Sequence, residues 1–187
     1  VAVTFAALQA QHDDALVINL AGRQRMLSQQ MALQALGVQI GADPAYRQAL
    51  HTTAHDYFEK TLNALIAGGP APYTDGTTVT LPPAPNPEIL AQLETVRATW
   101  REMHAAIMSV LEEDPQSAAF AEAVTTVERL SPVMLAQMDE TVRLYEAEAA
   151  RKVAWVQSIQ IGFLAVATVL LAAALALSER WVLAPIA

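Results

Sequence analysis

Apolar positions in the first part of the chain recur with helical spacing, not with the alternation of a strand. On a wheel turning about 100° per residue, Leu16, Leu20, Leu27, Met31 and Val38 form one stripe. Ile18, Gly22, Arg25, Gln29, Ala32 and Leu36 form a second, an unbroken heptad seam roughly opposite the first. A helix in a monomeric bundle needs only one apolar face, so two faces imply two partners. Those partners are the helix's own bundle and a second subunit.

The same pattern sets the element boundaries. A first helix is expected from about residue 5 to residue 40, stopping at Gly41, Ala42, Asp43 and Pro44. Asp43 and Pro44 form an N-cap and first-turn pair for a second helix, which ends before Gly68, Gly69 and Pro70. Pro70, Pro72, Pro82, Pro83, Pro85 and Pro87 then predict a loop in which residues 77–81 are at most briefly extended. Asn86 and Pro87 open a third helix running to about Glu113. Asp114 and Pro115 open a fourth, with a kink or restart expected at Ser131 and Pro132. Short Asp-Pro corners make consecutive helices antiparallel neighbours. The expected fold is therefore all-α: an antiparallel up-down four-helix bundle whose last helix continues into a transmembrane helix.

That last element carries the excess hydrophobicity. Residues 153–178 contain no charge, and residues 161–177 read IGFLAVATVLLAAALAL. About 20 apolar residues suffice to cross a bilayer. Trp155 and Trp181 stand at the flanks, beside Arg151, Lys152 and Arg180, as interfacial anchors do. The chain divides accordingly into an extracytoplasmic domain (1–157), a spanning helix (158–178) and the start of a further segment (179–187). The opening VAVTFAALQA lacks the basic region of a signal peptide and reads as the tail of an earlier spanning helix.

Composition removes several function classes. A formal charge of −8 opposes nucleic-acid binding, which needs clustered Lys and Arg. The absence of cysteine excludes disulfides, thiolate metal sites and Cys nucleophiles. Aromatics at 6% leave an apolar mass of mostly Ala, Leu and Val, which suits helices better than sandwiches.

The candidate chemistry lies on the second stripe of the first helix. Most basic residues have an acid three or four positions earlier, as in Arg47 with Asp43, Lys60 with Asp56, Arg97 with Glu94 and Arg143 with Asp139. Arg25 instead has Ala21, Gly22, Ser28 and Gln29 at those distances. A guanidinium at a seam needs countercharge, and a two-fold dimer would bring two copies together. A small planar oxyanion between them would supply it, matching the guanidinium fork. An acid from the Glu128 or Asp139 regions is the competing source. Arg23, about 160° away on the wheel, is expected to be a solvated or rim charge.

The run NLAGRQRMLSQQM, from Asn19 to Met31, resembles the signature box of periplasmic nitrate/nitrite sensor kinases. It is closer still to the AGRQRMLSQRM form of PilJ-type chemoreceptor sensor domains. Residues 135–146 (LAQMDETVRLYE) also resemble the PilJ-type fourth helix, and Trp181, Val182, Leu183, Ala184, Pro185 and Ile186 resemble the opening of a HAMP signal relay. The resemblance implies an inner-membrane receptor with a periplasmic sensor domain. It also implies a homodimer binding nitrate or nitrite at its axis, and a ligand set of Arg25, Gly22, Gln29 and Met26. Gln30 departs from the box, which commonly has another arginine there. The competing class is a periplasmic protein-interaction module with no small ligand.

Other constellations carry less. His51 and His55 share a helical face near Asp56 and Glu59, but without HExxH or a third ligand they are expected to be a surface pair. His104 is expected to be structural, and Met103, Met108, Met134 and Met138 to fill the core. Glu112, Glu113 and Asp114 read as a helix-end turn. No metal, cofactor or catalytic set is expected.

Overall fold

The computed structural model describes the backbone of residues 2–41, 43–73 and 76–178, and side chains within residues 13–177 of that set. Five α-helices, a π-helical segment and one hairpin succeed each other: α1 (Ala2–Gln39), α2 (Ala45–His51), the π-helix (Thr52–Glu59), α3 (Lys60–Ala67), β1 (Gly69–Pro72), β2 (Thr78–Leu81), α4 (Pro87–Glu112) and α5 (Ala118–Ser178). The chain falls into two compact units, Val1–Glu146 and Ala147–Ala187.

Directions in the first unit follow from which residues meet. Arg47 donates to the Val110 and Leu111 carbonyls, His55 meets His104, and Phe58 stacks on Trp100 at 4.5 Å between ring centroids. As one number rises the other falls, so α4 runs antiparallel to the stretch from α2 to α3. Arg129 pairs with Glu102 and Gln92 with the Gln137 carbonyl, which sets α5 antiparallel to α4. Arg25 with Asp139, and Gln29 with Ser131, set α1 antiparallel to α5. The expected up-down bundle is what the chain forms.

Its core is the first stripe of α1, with Leu20, Leu27, Met31 and Val38 buried among Phe58, Leu62, Trp100, Ile107, Phe120 and Met134. Leu16 packs against this cluster while half-buried.

Several boundaries differ from expectation for identifiable reasons. The second helical stretch is interrupted by the π-helix, a wider winding that is rare and frequently found at functional sites. Asp43 does accept a bond, from the Ala45 amide at 2.7 Å, but Pro44 takes the N-cap position. Asp114 and Pro115 form a turn rather than a cap. The Ser117 hydroxyl accepts from the Phe120 amide at 3.0 Å, so α5 starts at Ala118. Pro132 does not end the helix. Both it and Glu128, whose carbonyl it leaves without a donor, are exposed, so water can satisfy that carbonyl.

The proline-rich segment is more ordered than its composition suggests. β1 and β2 pair antiparallel, with Gly69 opposite Leu81 and Pro72 opposite Thr78. Such a ribbon is marginal alone and here buries Ala71 and Leu81 in the core. The turn into it requires glycine: Gly68 has φ of 77° and Gly69 of 116°.

The ion pairs Lys60–Asp56, Arg97–Glu94 and Arg143–Asp139 form as expected, and Arg151 pairs with Glu148 in the same way. Arg47 instead spends its guanidinium on the carbonyls at the end of α4, which otherwise lack donors.

The second unit, in its described part, is one helix long and apolar enough to cross a membrane. Residues 157–177 are exposed all round, including Phe163 at 73% and Leu164 at 69%. A surface of that length has lipid as its natural solvent. Arg180, Trp181 and the HAMP-like segment lie outside the described residues.

Gly37 gives a test of packing against propensity. Alanine is favoured over glycine inside a helix by about 1 kcal/mol. A β-carbon at Gly37, however, would overlap the Tyr46 ring of α2. Gly37→Ala is therefore expected to lower the unfolding midpoint in urea, the opposite sign to propensity.

Candidate functional site

The box residues occupy three α1 environments. Ala21, Gln24, Leu27 and Ser28 are buried; Gly22, Arg23 and Arg25 are half-buried; Met26, Gln29 and Gln30 are exposed.

Arg25 has an acid after all, supplied from another helix. Its Nη1 lies 2.6 Å from Oδ1 of Asp139 on α5, with side-chain exposures of 39% and 46%. The expectation that this guanidinium lacks a carboxylate is corrected, and the argument from uncompensated charge falls with it. The competing source named from the sequence, the Asp139 region, is the one that supplies the carboxylate, across 114 positions of chain. Asp139 also faces Arg143, whose Nε is 3.8 Å from Oδ2, and Arg143 in turn reaches Glu140 at 2.5 Å. One carboxylate thus stands between two cations.

Gln29 likewise turns towards α5. Its Nε2 donates to the Ser131 hydroxyl at 2.9 Å and to the Ser131 carbonyl at 3.2 Å. Ser131 returns a bond to the Ser28 carbonyl at 3.2 Å. The second stripe is therefore partly engaged within its own chain. Arg25 and Gln29 lean on α5, while Ile18, Ala32 and Leu36 pack partly against the core.

The outward face lies one position further round. Met26, Leu33 and Ile40 are 57%, 65% and 75% exposed and stand seven residues apart. With Asn19, Gly22, Gln29 and Leu36 they complete a heptad seam of alternating three- and four-residue steps. Arg25 sits at its edge. The small Gly22 leaves room above the guanidinium, since a β-carbon there would lie 3.7 Å from Arg25 Nη2.

Arg23, expected to be a solvated or rim charge, is half-buried and engaged. It packs 4.8 Å above the Tyr57 ring and donates to the Pro72 carbonyl at 3.4 Å. Gln24, which sequence reasoning passed over, is wholly buried, and neither of its amide atoms has a hydrogen-bond partner among the described residues. A groove of about 650 Å³ runs between Thr52–Gly68 and the hairpin, lined by Asp56, Tyr57, Lys60 and Asn63. Its charges are already matched, Lys60 donating to Asp56 at 2.7 Å.

The histidines also depart from expectation. His55 and His104, on the π-helix and α4, face each other with their Nε2 atoms 3.2 Å apart. Burial first, and the neighbouring His55 second, hold the His104 pKa below the ordinary histidine value, while Glu59 opposes them.

Residues 6–126 match the family described as the N-terminal region of type IV pili methyl-accepting chemotaxis transducers, PilJ. The chain belongs to the PilJ family. Among solved structures it is similar to the ligand-binding domain of the P. aeruginosa nitrate receptor McpN. The identity is 30% and the TM-score 0.54, over 71% of this chain and 95% of that one. No curated protein matches the chain. As a PilJ-family member it is a sensing domain of the chemotaxis-transducer class, which is what the Asn19–Met31 box and residues 135–146 resembled.

Two stability measurements follow from these contacts. Because the Arg25–Asp139 pair is half-exposed, its coupling in a double-mutant cycle is expected to be below about 1 kcal/mol. Replacing an unpartnered buried amide by an apolar group of similar shape removes a desolvation cost. Gln24→Met should therefore raise the unfolding midpoint.

Proposed function

We propose that this domain senses a small planar oxyanion, nitrate or nitrite, held by Arg25 where two copies of α1 meet. Gly22, Gln29 and Met26 line that site. The observation that carries the reading is a half-exposed guanidinium at the edge of an exposed apolar heptad seam, in a PilJ-family chain. A two-fold pairing along Met26, Leu33 and Ile40 brings the two Arg25 side chains towards one another. McpN, similar in structure, is described as a nitrate receptor, which makes nitrate the first ligand to test.

Asp139 gives the proposal its mechanism. In one chain it neutralises Arg25, and an exposed pair of this kind is worth only about 0–1 kcal/mol. An anion buried between protomers competes for the same guanidinium under better desolvation. Occupancy therefore loosens the tie between α1 and α5, and a ligand shifts only those states it binds unequally. α5 contains both Asp139 and the apolar run. Helix displacement then carries the signal from a periplasmic sensor (1–157), through the inner-membrane span (158–178), to a HAMP-like relay starting at 179–187.

Calorimetric titration of the full chain in detergent micelles tests this with nitrate, nitrite, chloride and sulfate. Nitrate or nitrite should bind, and Arg25→Ala should weaken that binding by at least roughly tenfold. Asp139→Asn should tighten it, because the competing carboxylate is gone. Silence towards all four anions, or weaker binding in Asp139→Asn, would reject the competition mechanism.

A further inference from the structure

The two imidazoles that face each other across the π-helix and α4 are joined by a third donor. His55 Nε2 lies 3.2 Å from His104 Nε2 and 3.5 Å from the Met108 sulfur. His104 and Met108 are one turn apart on α4, so a single helix face presents an imidazole and a thioether to His55. All three side chains are half-buried, which holds them in place and leaves them reachable from solvent.

We propose that His55, His104 and Met108 form a copper site that takes Cu(I) through two imidazole nitrogens and one thioether sulfur. Two nitrogens bound to one ion at about 2.0–2.1 Å stand roughly 3.3–3.6 Å apart, between the tetrahedral and trigonal angles. The separation of the two Nε2 atoms is 3.2 Å, so little movement is needed. Soft thioether donors select Cu(I) over the harder divalent ions.

Glu59 decides between metals. Glu59, His55 and His104 offer ligand atoms within 4.8 Å of one another, which would suit a zinc set of two histidines and a carboxylate. Yet the Glu59 Oε2 atom lies 3.1 Å from His55 Nδ1, on the far side of the ring. There the carboxylate fixes the tautomer, keeping the proton on Nδ1 and the Nε2 lone pair free for a metal. The first shell is then nitrogen, nitrogen and sulfur. Trp100, with its ring centroid 5.3 Å from that of His104, steadies the second imidazole. The π-helix carries both His55 and Glu59, in keeping with the functional use of that winding. This site shares no residue with the Arg25 face and is independent of the oxyanion reading.

The test is anaerobic titration of the full chain in detergent micelles with Cu(I), against a chromophoric Cu(I) chelator, and separately with Zn(II). One equivalent of Cu(I) is expected, with a sulfur neighbour in the copper X-ray absorption spectrum. Met108→Leu conserves volume, so the fold should survive. It should weaken Cu(I) by at least tenfold and remove the sulfur signal, leaving Zn(II) unchanged. His104→Ala should abolish stoichiometric binding with the helical circular dichroism retained. Glu59→Gln should weaken Cu(I) by roughly tenfold through the orientation of His55. No bound Cu(I), tighter Zn(II) than Cu(I), or Cu(I) binding indifferent to Met108→Leu would each overturn the assignment.

Discussion

α1 can give its own bundle only part of its circumference, and the rest of the molecule is arranged around that limit. Leu20, Leu27, Met31 and Val38 enter the core, while Met26, Leu33 and Ile40 stay outside. Between these faces runs a polar margin, Arg25 and Gln29, held by α5 through Asp139 and Ser131. The margin separates a dry core from an apolar surface on the same helix. It is also where a change in charge reaches two helices together.

The ties along that margin differ in strength. The Gln29–Ser131–Ser28 bonds include a backbone carbonyl at each end and one buried member, so they resist replacement by water. The Arg25–Asp139 pair is half-exposed and shares its carboxylate with Arg143. Solvent and other ions can compete for it. The firm contact lies about one turn from the soft one along α1 and about two turns along α5, so it keeps the two helices registered beside an exposed charge pair.

The four helical stretches, their directions and the apolar run were legible in the sequence, because periodicity, proline corners and a long charge-free stretch are local signals. The core stripe of α1 was read correctly for the same reason. Its second stripe is partly engaged within its own chain, where Ile18, Ala32 and Leu36 pack against the core, and the most exposed apolar positions, Met26, Leu33 and Ile40, lie beside it. Asp139, 114 residues from Arg25, could be named only as one of two competing regions, and His104, 49 from His55, was beyond any local pattern. The hairpin was hidden by its prolines, which mark loops when tertiary docking is unknown. The π-helix has no residue signature at all. What could be read was set by neighbours in sequence, and what was missed was set by neighbours in space.

The spacing of Met26, Leu33 and Ile40 also fixes a handedness. A repeat of seven drifts by about 20° per heptad on a straight α-helix. Over two heptads the exposed seam therefore turns by roughly 40° around the α1 axis. A rigid rod laid alongside would meet Met26 and lose Ile40. A helix that stays in touch with all three must wind around α1 in a left-handed sense.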